Sequence, residues 1–173
     1  FEELKGFMTM KNEGVLWPLP SQGVSQQVVC LNKIFRWEKR GDGAPDAIEV
    51  EPDPRHVDIL VEQFRLTPGS KAIATPGVKA TTTDVGRLLE GEEATSYRSA
   101  CMRASYLAED RIDIRFAVKE VSRHMAAPSE AGINALKRIA RYLLGAPRLV
   151  QRFVRQSPVS SIHGQTDADF AGC

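Results

Sequence analysis

The sequence predicts an α+β chain: a β-hairpin and a helix at the front, three helices in the middle and a strand at the end. Three observations predict it. Apolar residues alternate between Val28 and Trp37 and again at Ile48 and Val50, on either side of a turn-rich segment. Between Tyr97 and Leu144 they recur at three- and four-residue spacing, in three blocks separated by short joints. Residues 158–167 form a short segment, polar at its centre, that reads as an isolated strand. With 42% hydrophobic and 26% charged residues among 173, the composition is that of a globular chain and not of a disordered one.

Residues 1–27 read weakly. Gly14, Pro18, Pro20 and Gly23 break them into turns and leave room for a short helix over 3–10. Residues 28–37 read as one strand, with Val29, Leu31, Phe35 and Trp37 on one face, Lys33 the single exception there, and Asn32 and Arg36 on the other. Phe35 and Trp37 could stack on bases, but aromatics in a strand more often fill its packed face, and the packed face is the expectation here. The turn formers of 40–45 precede Ile48 and Val50, which alternate with Glu49 and Glu51 and close a hairpin. Asp53 then suits an N-cap and Pro54 a first helical position, ahead of a stripe of Val57, Leu60, Val61 and Phe64. Residues 69–95 form a connector with room for a turn of helix at 85–89. The first middle helix, 97–108, buries Tyr97, Cys101, Ala104 and Leu107 or Ala108. The second, 112–125, presents Ile114, Ala117, Val118, Val121 and Met125. Ser129 caps the third, whose stripe is Ile133, Leu136, Ala140, Leu143 and Leu144 and which Gly145 and Pro147 end.

Charge is unevenly spread. Residues 97–155 hold about 12 Lys/Arg against 5 Asp/Glu, whereas residues 1–96 are acidic on balance. On the second middle helix Arg115, Lys119 and Arg123 stand four residues apart and line one face; on the third, Lys137 and Arg141 do the same, with Arg138 beside them and Arg148 just beyond. Like charges at this spacing repel, and a phosphate backbone would relieve the repulsion. A solvated helix face, partly neutralised by Glu120, has the same pattern, and spacing alone leaves both readings open. Asp167 and Asp169, two apart on the expected last strand, point to one face, as the oxygen ligands of Mg²⁺ do; Asp-x-Asp is also a common surface pattern. Cys30, Cys101 and Cys173 and the histidines His56, His124 and His163 are scattered, so neither a disulfide framework nor a zinc site is expected, and a reducing intracellular setting, cytoplasmic or nuclear and not secreted, fits. No apolar run is long enough for a membrane span, and the start at Phe1 and the end at Cys173 suggest a piece of something longer.

The order of motifs adds to this. Tyr97-Arg-Ser99, Tyr106-Leu-Ala108, Arg111-Ile-Asp-Ile114, Ala117-Val118, Ser122-Arg-His-Met125, Ala135-Leu-Lys-Arg-Ile139, Arg141-Tyr-Leu143 and Thr166-Asp-Ala-Asp-Phe-Ala-Gly172 resemble the region after the polymerase core in copia-type retrotransposon Pol polyproteins. Upstream, Arg36-Trp37, Asp53-Pro-Arg-His56 and Ala74-Thr-Pro-Gly-Val-Lys79 are similar to the hairpin and helix that follow the polymerase site in that family. The resemblance implies four parts: a poorly defined segment (1–27), the end of a reverse transcriptase (28–96), a helical connection (97–156) and the start of an RNase H-like domain (157–173). It implies that Asp167 is the first RNase H carboxylate, with Asp169 beside it and Mg²⁺ present only when the whole domain is. RNase H chemistry needs further acidic strands, and no adjacent aspartate pair of a polymerase site is found, so a complete active site is not expected. The implied partners are an RNA–DNA hybrid or other template-primer, held by Arg115, Lys119, Arg123, Lys137, Arg138 and Arg141, and the remainder of the polyprotein. A helical interaction module, or the translated remnant of a decayed element, is the other reading. The sequence departs from the family pattern at Ile112 (usually proline), Gly132-Ile133 (usually a bulkier pair), Met102-Arg103 (usually small) and Trp17 (usually glycine).

Overall fold

A computed structural model describes residues 11, 13–18, 22–39, 46–78, 86–156, 161 and 164. Among these the chain is α+β: one antiparallel sheet of four strands and four helices. The elements run β1 (Gln27–Cys30), β2 (Lys33–Glu38), β3 (Ala47–Glu51), α1 (Arg55–Gln63), α2 (Gly91–Ala108), α3 (Arg115–Ser122), α4 (Glu130–Gly145) and β4 (Gln151–Val154), and the sheet order is β1-β2-β3-β4.

The expected hairpin is present as β2 and β3, with Phe35 opposite Val50 and Trp37 opposite Ile48. The single strand expected over 28–37 is instead two. Leu31 and Asn32 take φ of 51° and 61°, and this two-residue left-handed turn folds β1 back onto β2. Register then places Val28, Phe35 and Val50 on one face, together with Trp37, Ile48 and Phe153; these residues are half-buried apart from Phe153, which is exposed. The other face is a charged ladder: Arg36 donates to Gln27 and Glu51, and Arg152 to Glu38. Strand β4 lies in a stretch expected from sequence to be helical connection, and it pairs with β3, so that the end of the helical block returns to the front sheet. The strand expected over 158–167 lies outside the described residues apart from Ser161 and Gly164, as do the helix expected over 3–10 and the turn over 40–45.

Asp53 is buried, and its carboxylate accepts the backbone N–H of Arg55 at 3.0 Å, as an N-cap side chain does, while the regular helix runs from Arg55, one residue later than expected. Val57 and Leu60 bury the expected stripe. The helix ends with Arg65 at φ 51° and a Leu66 N–H bond to Val61, a left-handed cap. Helix α2 begins at Gly91, six residues earlier than expected, and takes in Glu92 and Glu93, whose charges favour a helix N-terminus. No helical turn forms at 86–90; Leu88 instead bridges Ser129, and Val85 lies outside the described residues. Ser129 caps α4 as expected, accepting from the Gly132 N–H at 3.3 Å.

The core sits among the helices. Helix α2 packs against the other three, and its Ala100, Cys101 and Ala104 are fully buried, small enough to let the neighbours approach closely. Leu60, Leu107, Ile114, Leu136, Ile139 and Leu143 surround them, each worth about 1.5–3 kcal/mol of burial. The sheet joins this block through polar links: Lys33 pairs with Asp110 at 2.7 Å, Gln151 donates to the Asp110 carbonyl at 2.6 Å, and Arg148 clasps Glu51.

Candidate nucleic-acid interface

The helices carrying the expected cationic faces are positioned by a buried charge. Arg111, 0% exposed, lies in the joint between α2 and α3. Its guanidinium grips Asp113 at 2.9 and 2.7 Å and donates to the carbonyls of Ala146 and Pro147 at 2.8 and 3.1 Å. Those carbonyls lie just past the C-terminus of α4, where backbone acceptors lack helical partners and a cation is favoured. Tyr142 of α4 donates to the same Asp113 carboxylate at 2.9 Å. Burial opposes the charged form of Asp113, but Arg111 and Tyr142 outweigh it and hold the carboxyl below its ordinary pKa. One arginine therefore joins the start of α3 to the end of α4. Sequence reasoning places Arg111 in a joint and assigns it no role. The signal available is an Arg and an Asp two residues apart inside an apolar pattern, which a short solvated joint does not require.

The six expected cations are used in different ways. Arg115 folds back and donates to the carbonyls of Ala108 and Glu109 at 3.3 and 2.9 Å, closing the C-terminus of α2. Lys119, exposed, lines the same shallow groove as Arg115. Arg123 is exposed and pairs with Glu120 at 3.6 Å. On α4, Arg138 donates to the Thr75 hydroxyl at 2.7 Å and Arg141 to the Lys71 carbonyl at 2.8 Å, so both fasten the connector to the helix. Lys137 is exposed, and like Lys119 it meets no partner among the described residues. Lys119, Lys137 and, through a loose ion pair, Arg123 are thus the cations of the set left to solvent. Arg148 belongs to the sheet: its hydrogen bonds, with those of Arg36 and against the effect of burial, bring the Glu51 pKa down to about 2.

A second feature has no counterpart in the sequence-based expectations. Between α3 and α4, with Pro76–Val78 along one side, runs an apolar groove of about 400 Å³. Phe116, 69% exposed, stands in its wall. Gly77 lets the connector lie against α3, since a Cβ there would stand 3.2 Å from that of Ala117. Asp167 and Asp169 lie outside the described residues, and among those described no three His, Cys, Asp or Glu side chains gather as a metal ion needs. No helix of the described residues is long and apolar enough to cross a membrane.

Two proteins that share this sequence pattern are polyproteins of mobile elements. The chain is 31% identical over 128 residues, 74% of its length, to the retrovirus-related Pol polyprotein from transposon RE2 of Arabidopsis thaliana. It is 34% identical over 116 residues, 67% of its length, to that from transposon RE1 of the same plant. The chain belongs to the copia-type retrovirus-related Pol polyproteins, and it spans 9% and 8% of the length of these two relatives. No protein-family model and no solved structure matches it.

Proposed function

We propose that this segment holds template-primer nucleic acid, an RNA–DNA hybrid foremost, for the reverse transcriptase and RNase H of a retrotransposon Pol polyprotein, and that bond-making belongs to other parts of that polyprotein. The observation that carries the reading is the set of solvent-facing cations on two packed helices, Lys119 and Arg123 at α3 and Lys137 on α4, in a chain of this family. Contacts of this kind go to phosphates, which position a duplex without reading its sequence. Mg²⁺ would enter only at a completed RNase H site, with Asp167 as its first carboxylate and Asp169 beside it. Arg115, Arg138 and Arg141 would also fix the helices and connector on which the free cations stand, since each already donates to the chain at one or two points.

Binding of labelled hybrid at several salt concentrations tests the reading. The logarithm of the affinity should fall linearly with that of salt. Lys119→Ala, Arg123→Ala and Lys137→Ala together should flatten the slope by about 0.9 for each phosphate no longer neutralised. A slope near zero in the unaltered chain, or one that the triple variant leaves unchanged, would sink the reading.

A further inference from the structure

We propose that the groove between α3 and α4 is a slot for one unpaired nucleobase, with Phe116 as its stacking surface; the proposal rests on the nucleic-acid reading above and adds an unpaired strand to it. Phe116, 69% exposed, stands in the wall of this apolar groove, so a flat ligand entering the groove can reach its ring. Val78, Ala135 and Ile139 supply the apolar surface around it. The polar lining decides between occupants. Asn134 and Glu120 both face the groove, offering an amide and a carboxylate. An apolar side chain from a protein partner would strip water from both and give nothing back. A base presents donors and acceptors along its edge, the kind that Asn and acidic side chains pair with, and a flat face for the ring.

Charge is complementary as well. Arg138 lines the groove, Arg123 stands at its rim through its ion pair with Glu120, and exposed Lys137 adjoins Arg138 on α4. A strand with one base in the slot would therefore run its phosphates past cations on either side. The slot accepts any base with a stacking face, so little sequence preference is expected.

The test uses the full chain and a short single strand carrying 2-aminopurine, whose fluorescence is quenched when it stacks. Binding should quench the probe. Phe116→Ala should abolish the quench and weaken single-strand affinity by about 5- to 150-fold, the range for losing one stacked base. The salt slope should stay as it was, because every phosphate keeps its cation, and Phe116→Trp should keep both quench and affinity. Because the ring is exposed, Phe116→Ala should melt at the temperature of the unaltered chain. Salt-dependent binding that Phe116→Ala leaves unweakened and quenched would overturn the slot while leaving the phosphate-binding reading in place. Absence of any salt-dependent binding would remove both. A dimer of the unaltered chain by sedimentation that Phe116→Ala dissolves would assign the groove to a second copy and overturn the proposal.

Discussion

Gly132, in the first turn of α4, makes room for another residue's ring. A Cβ at this position would stand 2.8 Å from Tyr97 Cε2 and 2.9 Å from its hydroxyl, closer than side chains tolerate. The ring has nowhere to go: Tyr97 is 1% exposed, and its hydroxyl donates to the Val121 carbonyl at 2.6 Å, joining α2 to α3. Two effects oppose one another in Gly132→Ala. Helix propensity favours alanine by about 0.5–1 kcal/mol, and overpacking an anchored ring costs about 1–3 kcal/mol. The second wins, and the variant should be destabilised by about 1–2 kcal/mol in urea unfolding. A variant more stable than the parent would show that Tyr97 can move aside. At this departure from the family pattern the buried tyrosine leaves no room for a Cβ in this chain. The departures at Ile112 and Met102 have no such account, since both side chains are exposed.

At the level of elements, legibility follows how far each side chain's partner lies along the chain. The helical stripes are local patterns, and Val57, Leu60, Tyr97, Val118, Leu136 and Leu143 are buried as spacing alone requires. The turn inside residues 28–37 is hard to see in the sequence because Leu31-Asn32 lacks the glycine that marks such turns, and only Lys33 interrupts the apolar alternation across it. Strand β4 is equally hidden, because four residues with a single aromatic become a strand only by pairing with β3, about a hundred residues upstream. The same applies to the candidate site. Arg115, Lys119 and Arg123 are identifiable from their spacing, but what Arg138 and Arg141 bond to, the hydroxyl and carbonyl of a distant connector, is not written in their own neighbourhood. The turn yields a prediction. Leu31 holds a left-handed conformation that costs a residue of this kind about 1–2 kcal/mol, and it is 76% exposed, so it contributes little packing in return. Asparagine tolerates this conformation better, so Leu31→Asn should raise the stability read from the urea midpoint by up to about 1 kcal/mol. A fall would mean that Leu31 makes contacts its exposure does not reveal.

For the whole molecule, the distribution of buried apolar surface sets where it opens first. Among the described residues, all the buried apolar side chains except Ala47 of β3 come from α1 to α4 and the segments joining them, whereas the sheet's other apolar residues are half-buried or exposed and its links to the helices include Lys33–Asp110 and Gln151 to the Asp110 carbonyl. Local opening follows the same division, since segments with few buried apolar contacts unfold at lower free energy than the core. Hydrogen exchange should accordingly be faster in β1 and β4 than in α2 and α4. Asp110 is the sharpest lever on this boundary. Its carboxylate holds Lys33 of β2, whose pKa that hydrogen bond raises, and its carbonyl receives Gln151 of β4. Asp110→Ala removes the carboxylate and leaves the Lys33 ammonium partly buried beside the Tyr106 ring with only distant Glu109 for a partner. Exchange in all four strands should then accelerate while the interior amides of α2 and α4 keep their rates, because the apolar core is untouched. Equal acceleration in strands and helices would instead show one cooperative unit, with the sheet integral to the stability of the helices that carry Lys119 and Lys137.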